Sequence, residues 1–522
     1  MTSRWRRRLA QQPDCWPELP LRPGPASNGE YLPPPRSAAD RALERAALDR
    51  AARAADRIGM DRRRFLQTSG GVAAVLATYN LAACSSDGGG VAAPSTARAT
   101  TTTVAPGGSF EVPEPEEVEA CDQELTGGGE LIFDIHTHHV VPDGPWRQNA
   151  QRIANMILGL VPAGCAEADP YRCVDRTAYL HDMFLASDTT IALLSDVPNS
   201  GPLDAPMPWE EKRETKQLAD SLALGGQPRV LLHDVLAPNF GDLSMRLDEM
   251  AMTAGTGDVS AFKVYTAWGP DGRGYALDDP AIGLPVIETA RDLGVRVICA
   301  HKGLPLLEFD RGNNGPQDIA AVARQYPDMD FIVYHGAYEL QTTEGPYDPE
   351  DAATGVNSLI KALDDHGIAP NANVHAELGT TWRETLSRPT EAAHVLGKLL
   401  TRVGADNVMW GTDSVWYGSP QPQIMAFRAF QIGTELQERY GYPALTPELK
   451  AKVFGLNAAR VFGVDPEATR CALDADGLTE ARAQLAAYHH DGAIDPWQSR
   501  GPMTRRDVMT WLRAMPEPWT PT

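Results

Sequence analysis

The sequence predicts an α/β fold, a (β/α)8 or TIM barrel over residues 129–470, because eight short apolar runs alternate there with helix-like segments. The runs are rich in β-branched residues and nearly continuous in apolar character, as is typical of parallel strands buried on both faces. Several of them end in a histidine or an aspartate, and barrel active sites gather at that end. A doubly wound open sheet is the alternative, but no glycine-rich nucleotide fingerprint follows any run.

The predicted strands follow one another at intervals that leave room for a helix in between. They are LIFDIH (131–136), TTIALLS (189–195), RVLLHDV (229–235), SAFKVY (260–265), VRVICAH (295–301), DFIVYH (330–335), ANVHAEL (372–378) and NVMWGTD (407–413). Residues 279–294 and 389–404 are amphipathic and represent the intervening helices; both segments end in a glycine, which suits a helix C-cap.

Residues 60–83 differ from this pattern and resemble a twin-arginine signal peptide. Arg62 and Arg63 form the arginine pair, and a short apolar stretch follows that is too weak to span a membrane. The stretch ends in LAAC, which resembles a lipobox with Cys84 as the lipidated residue. These features predict export by the twin-arginine route and an extracytoplasmic lipoprotein whose lipid at Cys84 is its sole contact with the membrane.

The remaining segments lie outside the predicted barrel. Residues 1–59 are expected to be a disordered leader or the product of a misplaced start, since Met60 stands just before the arginine pair and residues 39–59 show no core-facing stripe. Residues 84–128 are rich in Gly, Ser, Thr, Pro and Glu and predict a flexible linker. The tail, 471–522, could wrap the barrel or contact a second subunit, so a homo-oligomer is open.

Charge and cysteine content restrict the functional classes. A formal net charge of −22 argues against a nucleic-acid partner, because phosphate backbones bind basic surfaces. An exported chain can form disulfides. Cys165 and Cys173 bracket a short polar loop and could form a local bridge, whereas Cys121 and Cys471 flank the folded region and could join its ends. Sequence alone does not fix this connectivity.

The polar strand ends predict a metal site. His136 and His138 share one face of a strand, and His301, His335 and Asp413 end the fifth, sixth and eighth strands. Three imidazoles and a carboxylate suit a divalent ion, most simply Zn²⁺, with room for a water molecule that the ion would activate. Asp413 could accept the proton of that water, and His335 could act as general acid or base.

Other polar and aromatic residues carry weaker signals. Lys302 and Arg383 could meet an anionic substrate, and aromatic residues near the strand ends favour a small organic substrate over a polymer. These aromatic residues are Trp268, Trp382, Trp410, Trp416 and Tyr417. The histidines expected to have structural or surface roles are His139, His233, His366, His375, His394, His489 and His490. Glu377 lies in a predicted strand, as do His233 and His375; these three residues could line the pocket, but structural roles are expected for them.

Five motifs in the same order resemble the amidohydrolase superfamily, and they are most similar to the amidohydrolase-related branch that includes decarboxylases. They are Asp134-x-His136-x-His138, AHKG (300–303), YHGAY (334–338), GADNVMWGTDSVW (404–416) and VFGLNAARVFG (453–463). The resemblance implies a barrel of the metal-dependent hydrolase type. It also implies that His136, His138, His301 and Asp413 are metal ligands and that His335 is the catalytic histidine.

Lys263 leaves the number of metal ions open. The segment AFKVYTAW (261–268) resembles the fourth strand of hydantoinase-like members, in which a carbamylated lysine bridges two ions. In the decarboxylase-like branch this position usually carries no bridging ligand, and Lys263 could then bind a substrate carboxylate. One ion is expected, or two if Lys263 is carbamylated.

Together these features predict an exported metal-dependent hydrolase that attacks an amide, ester or lactone of a small molecule through a metal-activated water. The first alternative is a decarboxylase that acts on a small aromatic or unsaturated acid at the same site. The second alternative is a lipoprotein that binds a ligand without catalysis.

Overall fold

The structure is a computed structural model that describes residues 19–27, 31–83, 107–161, 167–223, 227–304, 310–473, 478, 480–483 and 509. Cys84, Cys165, His489 and His490 lie outside these residues, and so does most of the tail, 471–522.

The predicted barrel is confirmed, because its eight strands pair in parallel in their order along the chain. They are β2 (Phe133–Thr137), β3 (Ile191–Leu194), β4 (Val230–Leu236), β5 (Val259–Val264), β6 (Val297–His301), β7 (Asp330–Tyr334), β8 (Val374–Glu377) and β9 (Val408–Met409). Strands β1 (Gly108–Phe110) and β10 (Phe430–Ile432) form a separate antiparallel pair.

The barrel closes through the segment that follows β9. The amide of Ile135 donates to the carbonyl of Trp410 at 3.1 Å, and a parallel bridge joins Thr137 to Ser414. The amide of Asp413 donates to the carbonyl of His136 at 2.8 Å. Closure therefore holds the end of the eighth unit, including Asp413, against the histidines of the first strand.

Helices surround the barrel and connect its strands. They are α1 (Ala38–Arg57), α2 (Arg62–Leu66), α3 (Ser69–Ala83), α4 (Val118–Leu125), α5 (Trp146–Asn149), α6 (Gln151–Leu160), α7 (Arg176–Leu180), α8 (Trp209–Ser221), α9 (Leu243–Ala254), α10 (Gly283–Asp292), α11 (Gln317–Gln325), α12 (Gly355–His366), α13 (Thr381–Thr385), α14 (Pro389–Leu399), α15 (Gln421–Ala429), α16 (Thr434–Tyr440), α17 (Pro447–Ala451), α18 (Asn457–Phe462) and α19 (Pro466–Leu473). No helix of the described ranges has the length and apolar character needed to cross a membrane.

Alternation along the strands fills the barrel interior and places the polar residues above it. The inner cluster takes every second residue, for example Ile191 and Leu193 of β3 and Val297 and Cys299 of β6. His301 continues the inward series of β6 at its carboxyl end. Helix α18, which carries the NAAR sequence, packs at the opposite end, as the 5.5 Å ring contact of Phe462 with Phe133 indicates.

Helix α1 has a buried face, contrary to the expectation for residues 39–59. Ser37 caps it: its hydroxyl accepts from the Asp40 amide at 3.0 Å, while the Asp40 side chain accepts from the Ser37 amide. The buried stripe consists of small side chains, which a search for large apolar residues overlooks: Ala47, Ala51, Ala54 and Ala55. The described part of residues 1–59 is therefore ordered and packed.

The predicted signal segment lies in the same core. Arg62 and Arg63 are exposed on α2, whereas Val75 and Leu76 of α3 are fully buried. The side-chain amide of Asn80 exchanges two hydrogen bonds of 2.8 Å with the backbone of Phe110. Export and lipidation stay predictions, and removal of residues 1–83 would take α1, α2 and α3 out of this core.

The described part of the predicted linker, residues 107–128, forms β1 and α4 rather than a featureless spacer. The predicted bridge between Cys121 and Cys471 is wrong, because Cys121 is a buried free thiol whose helix packs on α3. Cys173 is disulfide-bonded, in line with a local bridge in its loop, but Cys165 lies outside the described residues.

Candidate metal centre

The strand ends bring the predicted site residues together. His136 Nε2 lies 3.5 Å and His138 Nε2 lies 3.4 Å from Asp413 Oδ1. His136, His335 and Asp413 each offer one ligand atom, and these atoms lie within 4.8 Å of one another. Side chains from opposite ends of the barrel sequence thus share one point at its carboxyl end.

Fixed acceptors set the tautomers of His136 and His138. The Nδ1 atom of His138 lies 2.9 Å from the carbonyl oxygen of Ser195, and that of His136 lies 3.3 Å from Glu377 Oε2. Because these oxygens accept, we assign the ring proton to Nδ1 in both histidines. Their Nε2 lone pairs therefore point toward Asp413, in the orientation that a metal ligand needs.

His301 and His335 follow the same rule. His301 Nε2 donates to the carbonyl of Leu304 at 2.6 Å, and His335 Nδ1 donates to the carbonyl of Gly379 at 2.8 Å. The remaining nitrogens, His301 Nδ1 and His335 Nε2, face each other at 3.2 Å. Two lone pairs at this distance repel one another, so a cation or a proton between them stabilises the arrangement.

These residues fit a divalent cation. Four imidazole lone pairs and one carboxylate converge, and His138 Nε2 is buried and has no hydrogen-bond partner in the part of the chain that the structure describes. A buried nitrogen without a donor is costly unless a metal uses its lone pair. The sequence placed His335 outside the ligand set, whereas the structure places a ligand atom of His335 within 4.8 Å of those of His136 and Asp413, and His301 Nδ1 lies 3.2 Å from His335 Nε2.

Burial and neighbouring groups determine the charge state of the site. Burial lowers the pKa of His136 well below its usual value, and the charge of Lys263 lowers it further. Burial likewise lowers the pKa of His335 to about 4. Burial alone would raise the pKa of Asp413, but His138, His335 and the Thr380 hydroxyl lower it overall. Neutral imidazoles around an ionised carboxylate are the protonation states that metal binding requires.

Two of these ligand candidates lie at unusual backbone positions. His335 and Asp413 are not glycines, yet both have φ of 63°, in the left-handed region. Such conformations are strained for residues with a Cβ and concentrate at functional sites, where the surrounding structure enforces them. The turns aim these side chains into the barrel mouth instead of along the helices that follow.

Lys263 reaches into the same cluster from β5. Its Nζ lies 3.1 Å from His136 Nε2 and 4.5 Å from the centre of the Tyr334 ring. The side chain is fully buried, as are the ligand candidates around it. The structure thus places Lys263 where either predicted role, bridging or substrate binding, would act. The number of ions stays a prediction.

Glu377 has a functional position that the sequence analysis missed. Besides the contact with His136, its carboxylate accepts from the backbone amides of His335 and Gly379. Burial raises the pKa of Glu377 to about 8. A carboxylate that holds a ligand histidine is a regular part of metal sites. The available signal was its place at the end of a predicted strand, the same signal that identified His301.

Asp134 of the Asp-x-His-x-His motif closes the first strand onto the eighth unit. It accepts from the amides of His136 and Thr412, both at 3.1 Å, and from the Thr412 hydroxyl. Asp134 therefore holds together the two segments that carry His136 and Asp413. Its carboxylate has this structural role and is not one of the ligand candidates.

Several predicted substrate contacts are structural instead. Lys302 binds Asp318 at 2.8 Å inside the protein, so the anion contact predicted for it is wrong. Trp382 and Trp410 pack against Phe427 in the core. Arg383 is buried on α13 and shows no contact with the metal cluster among the described residues.

Two aromatic residues do reach the site. The indole of Trp416 stacks on His138 with ring centroids 5.7 Å apart. The Tyr417 hydroxyl lies 3.1 Å from Thr380 Oγ1, which donates to Asp413 Oδ2 at 2.8 Å. The site therefore has one flat apolar wall and one line of hydroxyl groups.

Four other histidines of the described ranges lie outside the cluster. His139 bonds to Thr215 at 2.9 Å and His375 to Asp330 at 2.8 Å, as expected for structural residues. His233 contacts the Tyr334 hydroxyl at 3.2 Å below the site. His394, expected at the surface, is buried on α14 against Tyr442, so that expectation is wrong.

Comparison with known proteins agrees with this geometry. The model of the family described as Amidohydrolase matches residues 134–464, which is more than half of the chain. The chain belongs to the amidohydrolase family. The match spans the barrel from its first site residue to the end of α18, so the candidate metal centre lies within the matched region. A search of curated proteins finds no match.

Solved structures with detectable similarity are distant. The 5-carboxyvanillate decarboxylase of Sphingomonas paucimobilis has 16% identity and a TM-score of 0.40, over 64% of this chain and 99% of that one. The 2,6-dihydroxybenzoate decarboxylase of Rhizobium has 13% identity and a TM-score of 0.39, with the same coverage. The 4-oxalomesaconate hydratase of Rhodopseudomonas palustris has 15% identity and a TM-score of 0.38, over 68% of this chain and 100% of that one. Similarity this low does not select a reaction.

Proposed function

We propose that this member of the amidohydrolase family is a metal-dependent decarboxylase that acts on a small aromatic or unsaturated carboxylic acid. The observation that carries the proposal is Lys263, whose Nζ stands 3.1 Å from His136 Nε2 in a site where no ligand candidate is more than 2% exposed. A buried lysine among neutral imidazoles suits a substrate carboxylate better than a neutral amide or lactone.

The wall of the site supports a flat substrate. Trp416 stacks on His138, and Tyr265 stacks on His301 at 5.3 Å between ring centroids. A planar ring could lie along these surfaces and present its carboxylate to Lys263. The metal, when bound, would supply a Lewis acid for the substrate's oxygen atoms.

Decarboxylation breaks one carbon–carbon bond and requires one proton transfer. The bond between the carboxyl carbon and its neighbour breaks, the electron pair stays on the neighbouring carbon, and carbon dioxide leaves. That carbon must accept a proton. His335 holds Nδ1 on the Gly379 carbonyl, which leaves Nε2 for this step if His335 is the catalytic histidine beyond the ligands; we assign to it the uptake of one proton from solvent at Nε2 and the transfer of that proton to the carbon. The reaction needs no water, in keeping with the burial of the site.

A hydrolase remains the second candidate because of Asp413. The groups around this carboxylate hold its pKa below the usual range, so it is an ionised acceptor for the proton of a water molecule. In that reaction the attacked bond would be an amide, ester or lactone, and Lys263 would contact the substrate or bridge ions.

Product analysis separates these candidates. The purified full chain, loaded with Zn²⁺ or Mn²⁺, is incubated with aromatic acids, lactones and amides. We expect carbon dioxide from an aromatic or unsaturated acid. A newly formed acid without carbon dioxide would favour the hydrolase, and no product from any class would favour a ligand-binding protein.

A variant of Lys263 tests the observation itself. Lys263→Met should raise KM for the acid substrate about 30-fold, since it removes a buried charge partner worth about 2 kcal/mol. Lys361→Met is the control, because Lys361 pairs with Asp365 on the surface. An unchanged KM in Lys263→Met would contradict the assigned carboxylate contact.

A further inference from the structure

The N-terminal segment formed by residues 19–27 and Tyr31 docks beside the metal centre. The amide of Ala26 donates to Glu384 Oε1 at 2.8 Å, and the amide of Gly24 donates to the Ser387 hydroxyl at 3.2 Å. Glu384 belongs to α13, which follows β8 at the carboxyl end of the barrel. Residues that precede the arginine pair therefore lie at the rim that carries the site.

A line of hydroxyl groups connects this segment to Asp413. The Tyr31 hydroxyl lies 3.2 Å from that of Tyr417, which lies 3.1 Å from Thr380 Oγ1, and Thr380 donates to Asp413 Oδ2 at 2.8 Å. Because Thr380 uses its only proton on the carboxylate, its oxygen must accept from Tyr417. Tyr31 then covers the other side of the Tyr417 hydroxyl.

The two tyrosines exclude water from this line. Tyr31 is 2% exposed and Tyr417 is 6% exposed. Because Tyr417 gives its proton to Thr380, the single proton of the Tyr31 hydroxyl is shared between the carbonyl of Ala26 and the Tyr417 oxygen, and Glu384 Oε1 lies 3.4 Å from the same hydroxyl. Because water does not enter this line, its hydrogen bonds have one preferred direction. The line therefore fixes the position of Asp413 Oδ2, which accepts from Thr380.

Helices α1 and α3 hold the segment in place. The Tyr79 hydroxyl of α3 donates to the carbonyl of Leu21 at 2.9 Å. Glu44 of α1 binds Arg22 at 3.2 Å and Arg36 at 2.7 Å. The described residues between Leu19 and Ala83 thus act as a support for Tyr31, and several of them, including Leu21, Ala51 and Leu76, pack in the core of the barrel domain.

We propose that Tyr31 is a positioning residue of the metal centre that acts on Asp413 through Tyr417 and Thr380, and that the active protein keeps residues 19–83. The inference rests on the proposed function in one respect, the bound metal, of which Asp413 is a candidate ligand. A protein cleaved before Cys84, or begun at Met60, would lack Tyr31 and would hold its metal more weakly.

Metal affinity of Tyr31→Phe is the first test. The variant keeps the ring and removes the hydroxyl, so we expect Zn²⁺ and Mn²⁺ to bind about 3–10-fold more weakly, at the lower edge of the effect of groups that hold a ligand. Tyr171→Phe is the matched control and should leave the metal affinity unchanged, because it removes a buried tyrosine hydroxyl that donates to the carbonyl of Ala154 at 2.7 Å, apart from both the N-terminal segment and the line to Asp413. Equal affinity in Tyr31→Phe and the parent would overturn the proposal.

A double-mutant cycle shows whether Tyr31 acts through its neighbours. In a Tyr417→Phe background, Tyr31→Phe should cause no further loss of metal affinity, because the line is already interrupted. Additive losses would contradict the assigned route. Melting temperatures recorded beside the affinities separate these effects from general destabilisation.

Truncation tests the second part of the proposal. Chains that begin at Met1 and at Met60 are compared for metal affinity and for turnover of the acid panel. We expect the shorter chain to bind metal more weakly, and equal affinity would overturn retention of the segment. If the longer chain binds metal but turns over no substrate, the proposed reaction fails while the inference about Tyr31 stands on affinity alone.

Discussion

Each histidine among the ligand candidates has a hydrogen-bond partner that determines which of its ring nitrogens carries the proton. Ser195, Leu304 and Gly379 offer backbone carbonyls to His138, His301 and His335. Backbone acceptors do not titrate, so these tautomers persist across the physiological pH range. His136 differs because its partner is the side chain of Glu377, which makes this histidine the most sensitive to substitution of its support.

Replacement of His138 should remove most metal binding. His138→Gln eliminates a ligand nitrogen, so we expect affinity for Zn²⁺ to fall more than about 100-fold, beyond the usual effect of a supporting residue. His139→Gln is the control, because the neighbouring ring bonds to Thr215 away from the cluster. Metal analysis after dialysis measures both, and equal losses would contradict the distinct roles.

Replacement of Glu377 should weaken the site without abolishing it. Glu377→Gln replaces one of two partnered oxygens, which face His136 and the His335 amide on one side and the Gly379 amide on the other, with an NH2 group, and we expect about 10–100-fold lower metal affinity or activity. Asp330→Asn is the matched control, because Asp330 holds His375 in the same way at the start of β7. A larger loss in Asp330→Asn would contradict the special position of Glu377.

At the level of elements, α3 tests whether residues 69–83 belong to the core. Leu76→Ala removes a fully buried side chain, so the free energy of unfolding should fall by about 2–4 kcal/mol. Leu81→Ala lies on the same helix with a side chain 54% exposed and should change it by less than about 1 kcal/mol. Chemical denaturation provides both values, and equal values would mean that α3 does not pack in the core.

The contact between the N-terminal segment and α13 should depend on pH through Glu384. Burial raises the pKa of Glu384 to about 7 from an ordinary value of 4.5. The unfolded chain releases this proton more readily, so the stabilisation is fully present below pH 4.5 and is lost as pH rises to about 7. The loss is about 3 kcal/mol for a shift of this size.

Glu384→Gln removes this titration. The difference in unfolding free energy between the parent and the variant should therefore change by about 3 kcal/mol from about pH 4 to about pH 8, with the variant favoured at high pH. Glu435→Gln on α16, whose side chain is exposed, provides the control. A difference that does not vary with pH would contradict the perturbed state of Glu384.

On the scale of the whole molecule, one closed sheet joins parts that are far apart in the chain. The bridge between Thr137 and Ser414 brings the first and last strands together, and the same closure aligns His136 with Asp413. The N-terminal helices add a second layer outside this sheet and carry Tyr31 to its rim. Barrel closure and the N-terminal support therefore converge on the same carboxylate.

The sequence by itself determined the barrel and most of the site, because strand periodicity and strand-end histidines are local patterns that parallel pairing gathers at one end. It did not determine that Glu377 supports His136, that Lys302 forms a buried ion pair with Asp318, or that alanines on α1 make a buried face. These outcomes depend on which side chains meet across the fold. Only the tertiary structure decides such contacts, since they join residues whose separation along the chain carries no periodic signal.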